Sequence, residues 1–128
     1  MKHALLLIAH GSRNAEANED LRALAKDIER SGEYPIVEPA FLELAEPSID
    51  AGAKRCVERG AETVVLLPYF LSAGVHFRRD LQAWRERLSG DFAGTSFVLA
   101  EPLGRHPMLK KIVLERAGEA TKSELFGE

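Results

Sequence analysis

The sequence predicts an α/β fold of three layers, in which a four-stranded, mainly parallel sheet carries helices on both faces. Short apolar runs alternate four times with amphipathic stretches along the chain. Four βα units in series are typical of a parallel sheet. The third apolar run is uninterrupted over residues 64–67. Such a run indicates a strand that is covered on both faces.

The units follow one another without a linker or a low-complexity segment. Strands are predicted at 4–9, 35–42, 62–71 and 95–100, with helices over 14–30, from 47 to 60, through 81–88 and from 107 onward. Pro47 and Pro107 are placed at first helical positions, which proline favours. In the last helix, Leu109, Ile112 and Val113 recur at helical spacing. They are therefore predicted to form its inner face.

Length and composition indicate one domain over residues 1–128, because 45% hydrophobic residues suffice for a single core. The chain has 17 Lys plus Arg against 20 Asp plus Glu, a net charge of −3. This balance predicts neither a nucleic-acid partner nor attraction to a membrane surface. The short apolar run near the amino terminus is interpreted as a strand. The single cysteine, Cys56, excludes a disulfide within the chain and fits a cytoplasmic location.

Two histidines follow predicted strands, His10 after the first and His76 after the third. In open α/β sheets, ligands bind in the crevice beyond the carboxyl ends of the strands. Two imidazoles delivered to that edge can converge on one metal ion. Asp80, four residues after His76, shares its helix face and can orient a metal-bound imidazole. The structural alternatives are a loop histidine bonded to a carbonyl and an acidic residue favoured by the helix dipole.

The remaining polar residues near the ends of strands are less strongly indicated as site residues. Glu43 and Glu46 follow the second strand, where a solvated side chain or a helix cap is the alternative. Of the two, Glu43 is less easily explained by structure alone. His3 starts the first strand, at the opposite edge of the sheet, and His106 precedes a proline, where a capping or turn role is adequate. Neither is assigned a metal.

Several catalytic motifs do not occur in the sequence. There is no nucleotide phosphate loop, no dinucleotide-binding glycine fingerprint, no G-x-S-x-G elbow and no H-E-x-x-H. A histidine phosphatase remains a weaker alternative, because its signature resembles R-H-G whereas Ala9 precedes His10 here.

Four motifs in order resemble a known family. They are A-H-G-S-R at 9–13, F-L-E-L-A-E-P-S-I at 41–49, P-Y-F-L-S-A-G-V-H-F-R-R-D at 68–80 and P-L-G-R-H-P at 102–107. Together they resemble the small sirohydrochlorin chelatases, the short form of the cobaltochelatase of the cobalamin pathway. The resemblance implies a flavodoxin-like chelatase fold and a lyase that inserts Co²⁺, or in relatives Ni²⁺ or Fe²⁺, into sirohydrochlorin. The metal is then a substrate, with no permanently bound cofactor.

The resemblance also implies roles for single residues. His10 corresponds to the proton acceptor and a metal ligand, and His76 to the second metal ligand. The tetrapyrrole contacts it implies are Glu46, Leu71, Ser72, Ala73, Gly74, Val75 and His76. Glu43 is added to these contacts on its position alone. Histidine suits both tasks, because neutral imidazole binds these metals and also accepts a proton.

A homodimer is expected on two grounds. A tetrapyrrole is broad and flat, and one crevice edge leaves much of it in water, whereas ligand sites bury most of the ligand. Larger relatives resemble two such domains fused, which implies that the short form pairs two identical subunits. The remaining alternative to an enzyme is a non-catalytic carrier of metal or tetrapyrrole that uses the same histidines.

Overall fold

The first strand of the chain lies inside the sheet, between the second and the third. The computed structural model describes residues 2–72 and 74–125. Its elements are β1 (His3–Ala9), α1 (Ala15–Ser31), β2 (Ile36–Phe41), α2 (Ile49–Glu58), β3 (Thr63–Pro68), α3 (Val75–Asp91), β4 (Ser96–Leu99) and α4 (Met108–Leu125). The strands run in the order β2-β1-β3-β4, all parallel. The predicted parallel α/β sheet is confirmed.

Alternating side chains of the sheet form two apolar clusters, one on each face. Leu6, Val64 and Leu66 point to the face on which α2 and α3 pack. Leu5 and Leu7 point to the other face, where α1 packs against β1 and β2. β1 is thus buried from both sides, whereas β3 is buried on one face only, because Val65 and Leu67 stay half-buried on the other. The prediction that the apolar run of β3 is covered on both faces is wrong for the α1 side of the sheet.

Side-chain caps fix where two of the helices begin. The Asn14 side chain accepts a hydrogen bond from the Glu16 N–H at 3.0 Å and caps α1. Ser48 caps α2 by accepting from the Ala51 N–H at 3.2 Å. Pro47 was expected inside α2, and this was wrong, because the Ser48 hydroxyl takes the capping position and leaves proline outside the helix.

Two further boundaries differ from the prediction. β3 ends at Pro68, so that Tyr69, Phe70 and Leu71 belong to the following loop, although their apolar side chains extend the strand pattern. α4 begins at Met108, one residue beyond Pro107. The N–H of Met108 donates to His106 Nδ1 at 3.1 Å, which confirms the capping role predicted for that histidine.

The expected inner face of α4 is wrong. Leu109 is half-buried, but Ile112 and Val113 are 49% and 64% exposed, and every described side chain from Lys110 to Lys122 is exposed. The apolar spacing was read correctly as helical, but spacing alone does not say which surface the helix meets. Among the described residues, no helix is long and apolar enough to cross a membrane.

Candidate active site

Backbone hydrogen bonds hold the loops after β1, β2 and β3 together at the carboxyl edge of the sheet. The Glu43 N–H donates to the His10 carbonyl at 3.0 Å, and the Leu42 N–H to the Ala9 carbonyl at 3.0 Å. On the other side of β1, the Tyr69 N–H donates to the Ile8 carbonyl at 2.7 Å. The ladder of the sheet therefore continues past the ends of the strands and fixes His10 between its two neighbouring loops.

Gly11 permits the close approach of the first two loops. Its φ is +94°, in the region that glycine favours, and a Cβ placed there would lie 1.7 Å from the Glu43 carbonyl oxygen. Any side chain at this position would push the Glu43 backbone away from His10. The glycine of the A-H-G-S-R motif is thus required by backbone contact between two loops.

The loop that carries His10 is fixed on its other side by a buried amide. Asn18 of α1 is 7% exposed, and its Oδ1 accepts from the Ser12 N–H at 2.9 Å while its Nδ2 donates to the Ser12 carbonyl at 2.7 Å. Both polar backbone groups of Ser12 are satisfied by one side chain. This pair of bonds ties the loop to the first turns of α1.

The imidazole of His10 packs against two phenylalanine rings that also contact each other. Its centroid is 4.6 Å from that of Phe70 and 4.6 Å from that of Phe77, the second ring meeting it edge to face. The phenylalanine rings also contact each other at 5.1 Å. Packing of this kind restricts the orientation of the imidazole while the residue stays open to solvent.

His10 opens onto a cavity of about 620 Å³ between the loop after β2 and one face of α3. The described residues that line it are His10, Leu42, Glu43, Phe77, Asp80, Leu81, Ala83, Trp84 and Arg87. A volume of this size is in the usual range for small-molecule sites. The cavity brings one imidazole and two carboxylates, those of Glu43 and Asp80, to a mainly apolar wall.

A positively charged side chain, Arg87, lies at the end of the cavity formed by Trp84. The guanidinium of Arg87 lies over the Trp84 ring, 4.8 Å from its centroid, and its Nη2 is 3.0 Å from Asp50 Oδ2 of α2. The pairing joins α3 to α2 at the margin of the cavity. Both charged groups remain about half exposed, so the cation can still meet an anionic ligand.

His76 lies in the first turn of α3 and is exposed. It directly precedes Phe77, which contacts the His10 ring, but His76 is not among the described residues that line the cavity. Within residues 2–72 and 74–125, no three His, Cys, Asp or Glu side chains are arranged to hold a metal ion. The two-histidine metal site therefore stays a prediction, and Asp80, expected to serve His76, lines the cavity of His10.

The predicted tetrapyrrole segment forms the exposed connection between β3 and α3. Leu71 and Val75 are 69% and 66% exposed, and Ser72 and Gly74 are exposed as well. Ala73 lies outside the described residues. Gly74 is the N-cap of α3 and provides no side-chain cap to the N–H groups of the first turn.

Glu46 is exposed and lies at the far end of the loop after β2. Its peptide bond to Pro47 is cis, and its carbonyl accepts a hydrogen bond from Arg22 Nη2 at 2.8 Å. His3 lies at the amino edge of the sheet, beside Tyr34, away from the site. Only Glu43 of the two acidic residues after β2 lines the cavity.

Sequence reasoning missed the residues that surround His10. Phe70, Phe77 and Trp84 were not among the predicted site residues, yet all three shape the site. The signal for α3 was present in the sequence: Phe77, Asp80 and Trp84 recur at the spacing of one helix face. Nothing in the sequence marked Phe70, which extends the pattern of a strand that has already ended.

The fold and the site define an α/β domain that presents a loop histidine beside a carboxylate-bearing cavity. The family model described as CbiX matches residues 4–120, and the chain belongs to this family. It is similar to the sirohydrochlorin cobaltochelatase of Sulfolobus acidocaldarius, with 38% identity over 120 residues that cover 94% of each chain. It is also 39% identical to the chloroplastic sirohydrochlorin ferrochelatase of Arabidopsis thaliana, covering 88% of this chain and 50% of that protein.

A solved structure shows the same fold. The sirohydrochlorin chelatase SirB from Bacillus subtilis subspecies spizizenii, in complex with cobalt, has a TM-score of 0.83 and 28% identity. The match covers 93% of this chain and 51% of SirB. The chain thus spans nearly the whole Sulfolobus relative but only about half of the Arabidopsis protein and of SirB.

Proposed function

We propose that this protein is a chelatase, a lyase that inserts a divalent metal ion into sirohydrochlorin during tetrapyrrole biosynthesis. The observation that carries the proposal is the position of His10. The imidazole lies at the carboxyl edge of the sheet, packed against Phe70 and Phe77, and opens onto a cavity that also contains Glu43 and Asp80. Membership of the CbiX family supports the same reaction.

The chemistry of insertion fits this set of side chains. A divalent ion that enters the free-base macrocycle replaces two protons on pyrrole nitrogens, so the site must receive protons as it delivers the metal. Neutral imidazole can bind the ion through its ring nitrogen and then accept a proton once the ion has left. His10 is the proposed proton acceptor and metal ligand, and its two aromatic neighbours keep the ring in one orientation.

The metal enters as substrate, and several groups are proposed to guide it. His76 is the proposed second ligand, because Phe77, the next residue, already contacts the His10 ring. The carboxylates of Glu43 and Asp80 add negative charge to the cavity, which attracts a dication. An incomplete ligand set leaves coordination positions open, and an open site can release its ion to the macrocycle.

The proposed contact surface for the tetrapyrrole is the connection between β3 and α3. Leu71 and Val75 expose their apolar side chains there, which suits the face of a flat ring. Ser72, Ala73, Gly74 and Glu46 complete the proposed contacts. The uncapped first turn of α3 offers backbone N–H groups to the acidic side chains of the macrocycle.

Cobalt is the proposed metal, with Ni²⁺ and Fe²⁺ as the alternatives. The Sulfolobus relative is a cobaltochelatase and SirB was solved with cobalt, whereas the Arabidopsis relative is a ferrochelatase. Imidazole and carboxylate ligands bind all three ions, so the ligand types do not select among them.

The proposal includes a cytoplasmic homodimer. Relatives such as SirB have room for a second unit of this size in one chain, since the present chain covers 51% of SirB. Two copies about a two-fold axis bring two crevice edges toward one broad ligand, which a single edge leaves half in solvent.

Turnover distinguishes the enzyme from a carrier. Free-base sirohydrochlorin in large excess over the protein is mixed with Co²⁺, and the absorbance of the metallated product is followed against a protein-free control. We expect product well beyond one equivalent per chain, at a rate above that of spontaneous insertion. Product that stops at one equivalent per chain would identify a carrier and contradict the chelatase.

A further inference from the structure

The cavity of His10 contains a positive charge that the proposed insertion does not use. His10, Glu43 and Asp80 are the lining groups proposed to guide the metal, whereas Arg87 is the one lysine or arginine among the described residues that line the cavity. Asp80 and Arg87 lie two turns apart on one face of α3, about 10 Å along the helix axis. The guanidinium therefore lies away from the groups that are proposed to hold the metal.

One face of the Arg87 guanidinium is covered, and part of its edge is paired. Its Cζ is 4.8 Å from the centroid of the Trp84 ring. Nη2 is 3.0 Å from Asp50 Oδ2, and Nε is 3.8 Å from Asp91 Oδ2. No described residue bonds to Nη1, and the side chain is 58% exposed. Because a guanidinium has five N–H donors, it can bind a further anion without giving up these pairs.

The structural alternative for Arg87 is an ion pair that links α3 to Asp50 of α2. Ion pairs between exposed side chains stabilise a fold only weakly. A carboxylate that enters the cavity meets the same guanidinium beside the apolar ring of Trp84, where less water screens their attraction. The position of Arg87 therefore favours binding of an anionic ligand over a purely structural role.

A tetrapyrrole with many acidic side chains needs a cation at such a position. The metal enters the centre of the macrocycle, whereas the carboxylates stand around its rim, so their contacts must lie away from the metal ligands. The chain has a net charge of −3, and the carboxylates of Glu43 and Asp80 repel a polyanion. A positive group in the same cavity offsets this repulsion.

We infer that Arg87 binds a rim carboxylate of the macrocycle and selects carboxylate-rich tetrapyrroles over carboxylate-poor ones. This inference rests on the proposed function and names one residue that sets its substrate class. Guanidinium N–H groups are well suited to carboxylates. Because the contact is distant from the pyrrole nitrogens, it is made equally before and during insertion. Its loss should therefore change KM for the tetrapyrrole and leave kcat largely unchanged.

Steady-state kinetics with Co²⁺ and sirohydrochlorin test this role in the full chain. Arg87→Gln should raise KM for sirohydrochlorin about tenfold, as for loss of a charge-assisted hydrogen bond, with kcat within about twofold of wild type. Added salt should raise the KM of the wild type more steeply than that of Arg87→Gln, because salt screens the attraction that the variant has lost.

Two variants control for the loss of the ion pair and of the charge. Asp50→Asn breaks the same link between α2 and α3 but keeps the cation, so KM should stay the same or fall. Arg85→Gln removes a positive charge from another face of α3, where Arg85 Nε donates to Gln82 Oε1 at 3.2 Å, and should leave KM unchanged. A purely structural ion pair would instead make Arg87→Gln and Asp50→Asn behave alike.

Binding without metal tests the selectivity separately from the reaction. Uroporphyrin is rich in carboxylates and mesoporphyrin is poor in them, and both can be titrated by fluorescence. Arg87→Gln should weaken uroporphyrin binding about tenfold and mesoporphyrin binding much less. Equal weakening of both porphyrins would overturn the selectivity.

The outcomes separate this inference from the proposed function. An unchanged KM in Arg87→Gln, or an equal rise in Arg87→Gln and Asp50→Asn, would overturn the role of Arg87 while the chelatase stands. A wild type that does not turn over, with uroporphyrin binding still weakened by Arg87→Gln, would contradict the chelatase and support the carboxylate contact.

Discussion

Asn18 and Ser12 are joined by two hydrogen bonds, from the Ser12 N–H to Oδ1 at 2.9 Å and from Nδ2 to the Ser12 carbonyl at 2.7 Å. The amide is nearly buried, and Ser12 lies two residues after His10. One side chain of α1 thus sets the path of the loop that carries the proposed proton acceptor. Its effect on the reaction is through position and not through contact with substrate.

Asn18→Ala should lower both stability and turnover. The substitution leaves two backbone groups of Ser12 without their partner, which costs about 1–3 kcal/mol in free energy of unfolding. The freed loop should lower kcat for sirohydrochlorin metallation more than it raises KM for the metal. Asn14→Ala is the matched control, because it removes the α1 cap at a similar cost of roughly 1 kcal/mol. It keeps both bonds between Ser12 and Asn18, and the Asn14 N–H that donates to Ser12 Oγ at 3.0 Å is a backbone group that alanine retains. Equal kcat values in the two variants would contradict the positioning role.

Gly11→Ala should disrupt the contact between the loops after β1 and β2. The new methyl group would overlap the Glu43 carbonyl oxygen, and the φ of +94° adds strain for any side chain. Gly32→Ala is the matched control: its φ is +88°, but apart from its chain neighbours no described residue lies within 4 Å of the new Cβ. The free energy of unfolding of Gly32→Ala should fall only by the cost of a left-handed backbone at alanine, about 1–2 kcal/mol. Chemical denaturation should show a larger loss for Gly11→Ala, together with loss of metallation. Similar losses at both positions would show that the Glu43 contact is unimportant.

The acid limb of the stability profile should depend on Glu29. The Arg59 guanidinium, 2.7 Å from Oε1, and the Val37 N–H, 2.8 Å from the same atom, lower the pKa of this carboxyl from 4.5. A carboxyl with a lowered folded pKa stabilises the fold above its unfolded pKa, and this stabilisation is lost as pH falls through the folded value. The pair is about one-third exposed, so the effect is about 1 kcal/mol or less.

Glu29→Gln should therefore be less stable than the wild type at neutral pH and converge with it in acid. Urea unfolding between neutral pH and mild acid gives the two curves. Glu33→Gln, at an exposed position nearby, serves as the control and should run parallel to the wild type. A difference between Glu29→Gln and wild type that is constant with pH would contradict the assignment.

Cys56 should be inert in the folded protein. Burial, with a smaller contribution from Glu38, raises the pKa of the thiol to about 12. The thiolate is the reactive form, so a thiol reagent at mildly alkaline pH should label the protein only after denaturant is added. Rapid labelling of one thiol per chain without denaturant would show that the α2 face of the sheet is open.

Much of the fold could be predicted, because the apolar residues that become buried recur along the chain with the period of a strand or of a helix. The four βα units and the parallel sheet follow from apolar periodicity, and the edge that carries His10 follows from topology. The end of β3 could not be predicted, because Tyr69 and Phe70 are as apolar as the strand before them. The chain leaves the strand after Pro68, and the Phe70 ring then packs against the imidazole of His10.

The surroundings of the site depend on contacts between distant parts of the chain. The sequence shows Gly11 only as part of a motif. The structure shows why glycine is required there, because the sheet brings the Glu43 backbone close to it. The position of α4 relative to the sheet could not be predicted from the sequence either. Leu109, Ile112 and Val113 have the spacing of an inner face, and a pattern of this kind is the same for a helix that packs on its own sheet or on another chain's.

The role of His10 as proton acceptor and metal ligand is tested by removing its imidazole. The absorbance of sirohydrochlorin with Co²⁺ is followed for wild type, His10→Ala and His3→Ala, with folding checked by circular dichroism. His3 is the matched control at the opposite edge of the sheet. We expect His10→Ala to lose about 10²–10⁴-fold in rate, as for loss of a general base, and His3→Ala to keep wild-type activity. A folded His10→Ala protein that metallates sirohydrochlorin at the wild-type rate would show that His10 is not the proton acceptor.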